Sequence, residues 1–103
     1  MMLTNVVVTY TIDPKAKEEH IRLIEGVFAQ LSKDNPNNID YQVMCLEDGV
    51  SFVHMSSAET PNGSNPIPQL SAFKDFAQNI SKRVTTMPKS ISGTLIGSYH
   101  NKA

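Results

Sequence analysis

The chain has 103 residues, the usual size of a single domain with one hydrophobic core. Nine Lys and Arg against ten Asp and Glu give a net charge of -1, and the basic residues are scattered along the sequence. This balance argues against nucleic acid and anionic membranes as partners, because both require a basic surface. The one cysteine, Cys45, excludes an intrachain disulfide. It predicts a buried, inert thiol in a reducing compartment, so we expect a cytoplasmic protein.

The first residues lack the basic segment of a signal peptide, and no apolar run approaches the ~20 residues that span a bilayer. We therefore expect no targeting or membrane segment. Residues Asn5 to Ile12 alternate with period two and predict strand one. Asp13 followed by Pro14 predicts an N-cap and a first helical residue, and apolar residues at helical spacing predict helix one from Pro14 to Ser32. A loop from Lys33 to Asn38 follows, because Pro36 disfavours helix in the residue before it.

Two strand-like segments, Ile39 to Glu47 and Val50 to Ser57, flank the pair Asp48-Gly49. This pair predicts a hairpin with a type I′ turn, in which both central residues have positive φ. A two-residue turn places Cys45 opposite Phe52, Val43 opposite His54 and Tyr41 opposite Ser56 on one face. The other face then carries Gln42, Met44, Leu46, Ser51, Val53 and Met55.

The remaining third of the chain predicts a loop, a helix and a strand. Pro, Gly, Asn and Ser are concentrated from Ser57 to Gln69, which predicts a long surface loop. Apolar residues at spacings of three and four predict helix two from about Gln69 to Val84. Alternation from Ser90 to His100 predicts strand four, with Gly93 and Gly97 as sites of a bulge or a close approach.

This element order predicts an α+β fold: a ferredoxin-like βαββαβ sandwich with a four-stranded antiparallel sheet, in which the third strand lies between the first and second. Both helices cover one face. The second face is unusually apolar for a solvated surface, since it carries Val7, Met44, Leu46, Val53, Met55 and Ile96. We therefore expect a second copy to cover it, so that residues 1–103 form a single domain that dimerises into an α+β barrel.

Several segments resemble the antibiotic biosynthesis monooxygenase family of dimeric α+β barrels: Val6 to Lys15, the helix behind it, Tyr41-Gln42-Val43, and Phe73-Lys74-Asp75-Phe76. The resemblance implies a homodimer with a pocket between each sheet and its helices. It also implies, for some members, oxidation of quinol-like or anthrone-like substrates by molecular oxygen without metal or flavin. Members of the family commonly carry a glutamate and a tryptophan in strand three. The tryptophan is also typical of haem-degrading relatives. This chain has His54-Met55-Ser56-Ser57 there and no tryptophan, so we transfer no catalytic residue.

The residues themselves suggest one candidate site. His54 shares the helix-facing side with Tyr41 and Phe52, where a histidine beside phenols can accept a proton near neutral pH. We therefore predict His54 as a catalytic base, with Tyr10, Tyr41, Phe52 and Phe73 as substrate-binding residues. The structural alternative is a histidine that is half-buried and hydrogen-bonded to a neighbour, with tyrosines that pack in the core.

The other two histidines are predicted to be surface groups, His20 at the edge of helix one and His100 near the end of the chain. The histidine spacing matches no metal site, and no glycine-rich phosphate loop is present, so we expect neither metal nor cofactor. Two functions remain open. One is a cofactor-independent monooxygenase acting on a small aromatic or quinol-type compound, with the Ser57 to Gln69 loop as a lid. The other is a non-catalytic homodimer that binds a small apolar ligand or has a structural role.

Overall fold

The computed structural model describes residues 1–101. Its strands are β1 (Met2–Ile12), β2 (Ile39–Cys45), β3 (Ser51–Thr60) and β4 (Val84–Gly93), and its α-helices are α1 (Lys17–Asp34) and α2 (Ser71–Ala77). Short 3₁₀ turns lie at Pro14–Ala16, Ile67–Gln69 and Ile80–Lys82. The strands form one antiparallel sheet in the order β2-β3-β1-β4, so the third strand lies between the first and second as predicted. The ferredoxin-like βαββαβ arrangement is therefore confirmed.

The start and end of α1 follow from local chemistry. The Asp13 carboxylate accepts a hydrogen bond from the Lys15 amide at 2.9 Å, which confirms the predicted N-cap, and Pro14 opens the 3₁₀ turn that leads into α1. At the other end Asn35 adopts a left-handed φ of 47°, and its amide donates to the Leu31 carbonyl at 2.7 Å. This geometry ends the helix in the manner of a left-handed C-cap.

The β2-β3 hairpin has the predicted register, with Tyr41 opposite Ser56, Val43 opposite His54 and Cys45 opposite Phe52. The predicted type I′ turn is wrong, because Gly49 has a φ of 77° while Asp48 is not among the residues with positive φ. The Gly49 amide donates to the Leu46 carbonyl at 2.9 Å, which closes a wider turn. The Asp48 carboxylate holds this turn by accepting from the Val50 and Ser51 amides.

The predicted surface loop is shorter than expected. Residues 57–60 extend β3 and pair with the first residues of β1, which itself begins at Met2 instead of Asn5. Only residues 61–66 then remain before the 3₁₀ turn at Ile67–Gln69. Polar residues do not exclude a strand when its neighbour offers a full set of hydrogen-bonding partners.

The C-terminal third departs most from the sequence prediction. Asn79, with a φ of 62°, separates α2 from the 3₁₀ turn, so the predicted helix to Val84 is wrong and Val84 is the first residue of β4. The register of β1 and β4 shifts near Pro88, instead of at the predicted Gly93 and Gly97. An edge strand accommodates this proline, because its missing amide needs no ladder partner. Residues 94–101 lie outside any helix or strand, so the predicted strand to His100 is wrong beyond Gly93.

The two faces of the sheet differ in what covers them. On the face under α1 and α2, which we call the covered face, the core combines β1, β3, α1 and α2 through Tyr10, Ile12, Ile24, Val27, Phe52 and Phe76. On the opposite, uncovered face, β4, β1 and β3 align Ile91, Val7 and Met55 in one row across the sheet. Val7, Met44 and Leu46 are exposed there as predicted, together with Ile91, whereas the predicted Ile96 lies beyond the end of β4 and outside the sheet.

Candidate functional site

A cavity of about 450 Å³ lies between the covered face and the segment formed by the 3₁₀ turn at Ile67–Gln69 and α2. Its wall is mostly apolar and aromatic, with a few polar groups gathered on the strands. The lining residues are Val6, Val8, Tyr10, Tyr41, His54, Ser56, Asn65, Ile67, Pro68, Phe73, Phe76, Ala77, Ile80, Pro88 and Ser90. An apolar cavity with few convergent polar groups is typical of a small-molecule site.

A continuous hydrogen-bonded chain of five residues runs from this wall into the interior. We call it the buried network, and its members are Arg83, His20, Tyr10, His54 and Tyr41. The Arg83 Nε–H donates to His20 Nδ1 at 3.1 Å. The Tyr10 hydroxyl lies 2.6 Å from His20 Nε2 and 2.6 Å from His54 Nε2. The Tyr41 hydroxyl lies 2.7 Å from His54 Nδ1. Both nitrogens of both imidazoles therefore have partners.

Sheet register brings the three network residues of the strands together. Val8 of β1 faces His54 of β3, so Tyr10 lies one same-face position further along β1. Val43 of β2 faces the same histidine, which places Tyr41 one same-face position away on the other side. Diagonal neighbours on one face are within reach of aromatic side chains, so both phenols meet the imidazole.

His20 and Arg83 enter the network from outside the sheet. His20 lies on the buried stripe of α1 with Ile24 and Val27, and its side chain is fully buried. Arg83 immediately precedes β4, where its carbonyl accepts from the Asp13 amide at 2.8 Å and fixes its backbone beside the start of α1. Its guanidinium lies over the Phe76 ring, 5.5 Å from the ring centroid. Helix, sheet and the segment before β4 thus meet at one point.

The charge on Arg83 is held by neutral groups. Besides His20, its guanidinium donates to the carbonyls of Phe76 and Gln78. Within residues 1–101 the salt bridge found joins Arg22 to Glu19 at the surface, and Arg83 contacts no carboxylate directly. Burial lowers the pKa of Arg83, but a guanidinium stays protonated in proteins. The network therefore begins at a buried cation, Arg83, and ends at Tyr41, which lines the cavity.

Burial shifts the pKa of each titratable ring in the network toward its neutral form. It lowers the pKa of His20 to about 4, and the nearby Arg83 cation adds to this shift. It lowers the pKa of His54 to about 4, with a smaller contribution from His20. Burial also raises the pKa of Tyr41 to about 12 and raises that of Tyr10. At neutral pH all four rings are uncharged.

The structure brings together most of the residues that the sequence singled out. Tyr10, Tyr41, His54 and Phe73 line the cavity. Phe52 does not: it stacks on Tyr10 at a centroid distance of 5.7 Å and is buried in the core. The register of β3 places Phe52 opposite Tyr10, one same-face position beyond His54.

Three single-residue predictions have different outcomes. The predicted surface position of His20 is wrong, because the stripe of α1 is centred on it; its spacing of four and seven residues from Ile24 and Val27 was the available signal. Cys45 is exposed instead of buried, at the end of the edge strand β2. His100 is exposed, as predicted.

Metal-ligating side chains do not converge within residues 1–101, where no group of three or more His, Cys, Asp or Glu side chains lies close enough to hold an ion. No helix in that range is long and apolar enough to cross a membrane.

Comparison with known protein families and with curated proteins finds no match. Comparison with solved structures shows the fold. An antibiotic biosynthesis monooxygenase is 13% identical over 93% of this chain and 100% of its own, with a TM-score of 0.75. Proteins provisionally named as antibiotic biosynthesis monooxygenases from Nitrosomonas europaea and Caulobacter crescentus are 12% and 16% identical, with TM-scores of 0.75 and 0.72. They cover 91% and 92% of this chain, and 90% and 91% of their own. The predicted resemblance is confirmed for the fold.

Proposed function

We propose that the protein is a cofactor-independent, monooxygenase-like homodimer that acts on a small aromatic or quinol-type compound in the cavity under α2. One observation carries this proposal: the wall of an apolar cavity contains two phenols and an imidazole in direct hydrogen-bond contact. Polar groups at this depth orient a ligand, while the apolar remainder excludes water. Solved structures with the same fold are named as monooxygenases, which supports an oxidation.

Aromatic ligands suit the opposite wall. Phe73 and Phe76 pack with their centroids 5.5 Å apart and an interplanar angle of 49°, and both line the cavity. A planar ring can pack against these side chains while its oxygen reaches Tyr41. The cavity volume of about 450 Å³ lies within the usual range for small-molecule sites, roughly 300 to 1,000 Å³.

The proposed chemistry uses the neutral network to stabilise charge on the ligand. A quinol or anthrone becomes reactive toward dioxygen when its oxygen carries negative charge, and a hydroxyl donor placed at that oxygen stabilises the anion. For anthrone, one oxygen atom enters the ring carbon, and the other leaves as water with the two hydrogens of that carbon. Tyr41 is the proposed donor. Both ring nitrogens of His54 are occupied by the two phenols, so we propose that His54 acts by orienting Tyr41 and that the acidic proton of the ligand leaves to solvent.

The homodimer is proposed from the uncovered face. Val7, Met44 and Ile91, on three of the four strands, are between 38% and 54% exposed. A second sheet packed face to face would remove them from water and close the barrel that the fold favours. The C-terminal residues 94–101 also border this face, where Leu95 and His100 line a second cavity of about 390 Å³.

The alternative is a binding protein without catalytic activity. It is favoured by the completeness of the buried network, since every buried side-chain N and O in the described residues has a partner and the lowered pKa makes His54 a weak base. We also propose a cytoplasmic location, because the exposed Cys45 thiol is most stable in a reducing compartment. Cell fractionation tests that location.

Oxygen uptake with anthrone and with a simple quinol tests the function, with ligand binding measured in parallel. We expect uptake by the wild type and by the control variant Glu18→Ala, exposed on α1, and loss of uptake in His54→Ala with the dimer still folded by circular dichroism and size exclusion. His54→Gln is the second variant: its amide can accept from Tyr10 and donate to Tyr41, so it should retain uptake, and loss of uptake there would show that the imidazole itself takes the proton. Binding without uptake would establish the alternative, and neither binding nor uptake would exclude both functions.

A further inference from the structure

We propose that the buried network has one fixed hydrogen-bond direction, from Arg83 to Tyr41, so that the cavity presents a hydroxyl donor and selects ligands that offer an acceptor oxygen. This inference rests on the proposed ligand-binding function of the cavity. It assigns Arg83 and His20, which do not line the cavity, as positioning residues, and it names the ligand class as ketones, quinones and ionised phenols.

The direction is set by Arg83. A guanidinium has five N–H donors and no acceptor, so the contact of 3.1 Å between Arg83 Nε and His20 Nδ1 has one arrangement: Arg83 donates and the imidazole accepts. A neutral imidazole carries one proton, which must then be on Nε2. His20 is therefore a donor toward Tyr10.

The Tyr10 hydroxyl transmits this direction to the next ring. Its oxygen accepts from His20 Nε2–H, and its own hydrogen has one remaining partner within reach, the Nε2 of His54 at 2.6 Å. If His54 carried its proton on Nε2 instead, two N–H groups would point at the same oxygen and the Tyr10 hydrogen would lack an acceptor. Tyr10 is 4% exposed, so leaving its hydroxyl hydrogen without a protein acceptor is disfavoured.

The last link reaches the cavity. Because His54 Nε2 accepts from Tyr10, its proton is on Nδ1, which donates to the Tyr41 oxygen at 2.7 Å. Within the described residues no other hydrogen bond involves the Tyr41 hydroxyl, so its hydrogen is available to a group in the cavity that Tyr41 lines. Each donation in the chain polarises the next hydroxyl, which strengthens the terminal donor.

A ligand that donates its own proton to this site meets an obstacle. A ligand hydroxyl that donates to the Tyr41 oxygen would leave the Tyr41 hydrogen without a protein acceptor, because His54 Nδ1 already carries a proton. Reversing His54 would in turn require Tyr10 to reverse, and His20 cannot, because Arg83 remains a donor at pH values where the protein is folded. The ligand is therefore held as an acceptor, and an acidic ligand proton leaves to solvent instead of to His54.

Nitrogen-15 spectra of the two buried imidazoles test the direction without any ligand. At pH 7 we expect His20 as the Nε2–H tautomer and His54 as the Nδ1–H tautomer, with no imidazolium. An Nε2–H tautomer or an imidazolium at His54 would overturn the inference. In Arg83→Met, His20 loses the donor that fixes it, so we expect both rings to become tautomer mixtures. Arg83→Lys, which retains a cationic donor, should keep the wild-type tautomers; unchanged tautomers in Arg83→Met would remove Arg83 from the role.

A matched ligand pair tests the selection: 1-tetralone, which has a carbonyl acceptor, and tetralin, which has the same rings without it. We expect the wild type to bind 1-tetralone about tenfold more tightly than tetralin, as one added hydrogen bond allows. Tyr41→Phe should bind the two equally, with tetralin affinity unchanged. Equal affinities in the wild type would overturn the selection while leaving the proposed cavity intact. Binding of neither probe would overturn the proposed function and the selection together, and the tautomer spectra would then decide the direction separately.

Rescue distinguishes positioning by His20 from a purely structural role. A glutamine at this position can accept from Arg83 through its oxygen and donate to Tyr10 through its nitrogen, whereas leucine can do neither. We expect His20→Gln to keep the His54 tautomer and the preference for 1-tetralone. His20→Leu should lose the His54 tautomer and the preference for 1-tetralone under conditions in which its unfolding transition shows that the variant is folded. Retention of both in His20→Leu would exclude the positioning role.

Discussion

The two faces of the sheet come from alternate residues of the same strands. An ordinary sheet buries apolar side chains on one face and exposes polar ones on the other, and each face of this sheet departs from that pattern. On the covered face, polar groups are buried: His54 is 6% exposed and each of its ring nitrogens has a partner. On the uncovered face, apolar groups are exposed: Met44 is 54% exposed and Ile91 47%. Buried polar groups require partners, which the network supplies, whereas a row of exposed apolar groups leaves a surface that a second molecule could cover. One set of strands therefore carries a partnered polar interior and an apolar exterior.

The largest expected difference between the faces is in core packing. Phe52 is buried under Tyr10, so Phe52→Ala should lower the free energy of unfolding by about 3 to 5 kcal/mol, through lost burial and the cavity left behind. Met44→Ala, on the uncovered face, should change it by less than about 0.5 kcal/mol at protein concentrations where the chain is monomeric. Urea denaturation of both variants measures this. If the effect of Met44→Ala grows with protein concentration, this face is covered in a dimer. If Met44→Ala and Phe52→Ala lower the free energy of unfolding equally at every concentration, the two faces do not differ in packing.

Acid should destabilise the fold through the covered face, where His20 and His54 are buried. Burial lowers the pKa of His20 to about 4, so between that pH and the ordinary histidine value the unfolded chain binds more protons than the folded one. The stabilisation is complete above about pH 6.5 and is lost as the pH falls toward 4. We expect His20→Gln to remove about 2 to 3 kcal/mol of the decrease in unfolding free energy between pH 6.5 and 4.5. Urea denaturation across this range measures it, with exposed His100→Gln as the control.

A charge on the uncovered face tests its proposed role. Ile91 pairs with Val7 in the middle of this face, so a lysine there would be buried without a partner in a face-to-face dimer. We expect Ile91→Lys to weaken dimerisation by about 2 kcal/mol, or roughly thirtyfold in the dissociation constant. Sedimentation equilibrium measures this, with Glu18→Lys on the surface of α1 as the control. A wild-type monomer at all concentrations, or a dimer that Ile91→Lys leaves unchanged, would exclude this interface.

The covered face was also the more predictable of the two from sequence. Tyr10, Tyr41 and His54 could be placed together because period-two alternation and hairpin register fix which residues share a face. His20 was missed because a histidine on an amphipathic helix was assigned to the edge of the stripe instead of its centre. Arg83 was missed because its burial depends on long-range packing between α1, α2 and β4, which no local pattern in the sequence records.

The C-terminal part was the least predictable. Val84 was assigned to a helix because its spacing from Ile80 fits one, but Asn79 adopts a left-handed conformation that ends the helical segment early. The same early end allows β4 to begin at Val84 and to continue through Pro88, a residue that normally argues against a strand. Edge position explains the exception, and edge position is a property of topology that a single segment cannot reveal.

The smallest expected effect lies at the boundary between the buried network and the cavity. Tyr41→Phe removes one acceptor from His54 Nδ1, which lines the cavity and can bind water in its place, so we expect a loss of about 1 kcal/mol or less in unfolding free energy. Tyr10→Phe, by contrast, leaves two ring nitrogens without a partner in the interior and should cost about 2 to 4 kcal/mol. Urea denaturation of the two phenylalanine variants, each removing a single hydroxyl, compares them directly. Equal losses in the two variants would mean that water does not reach His54 Nδ1 and that the cavity is closed to solvent at Tyr41. A ligand could then enter only if the segment from Asn65 to Pro68 moves.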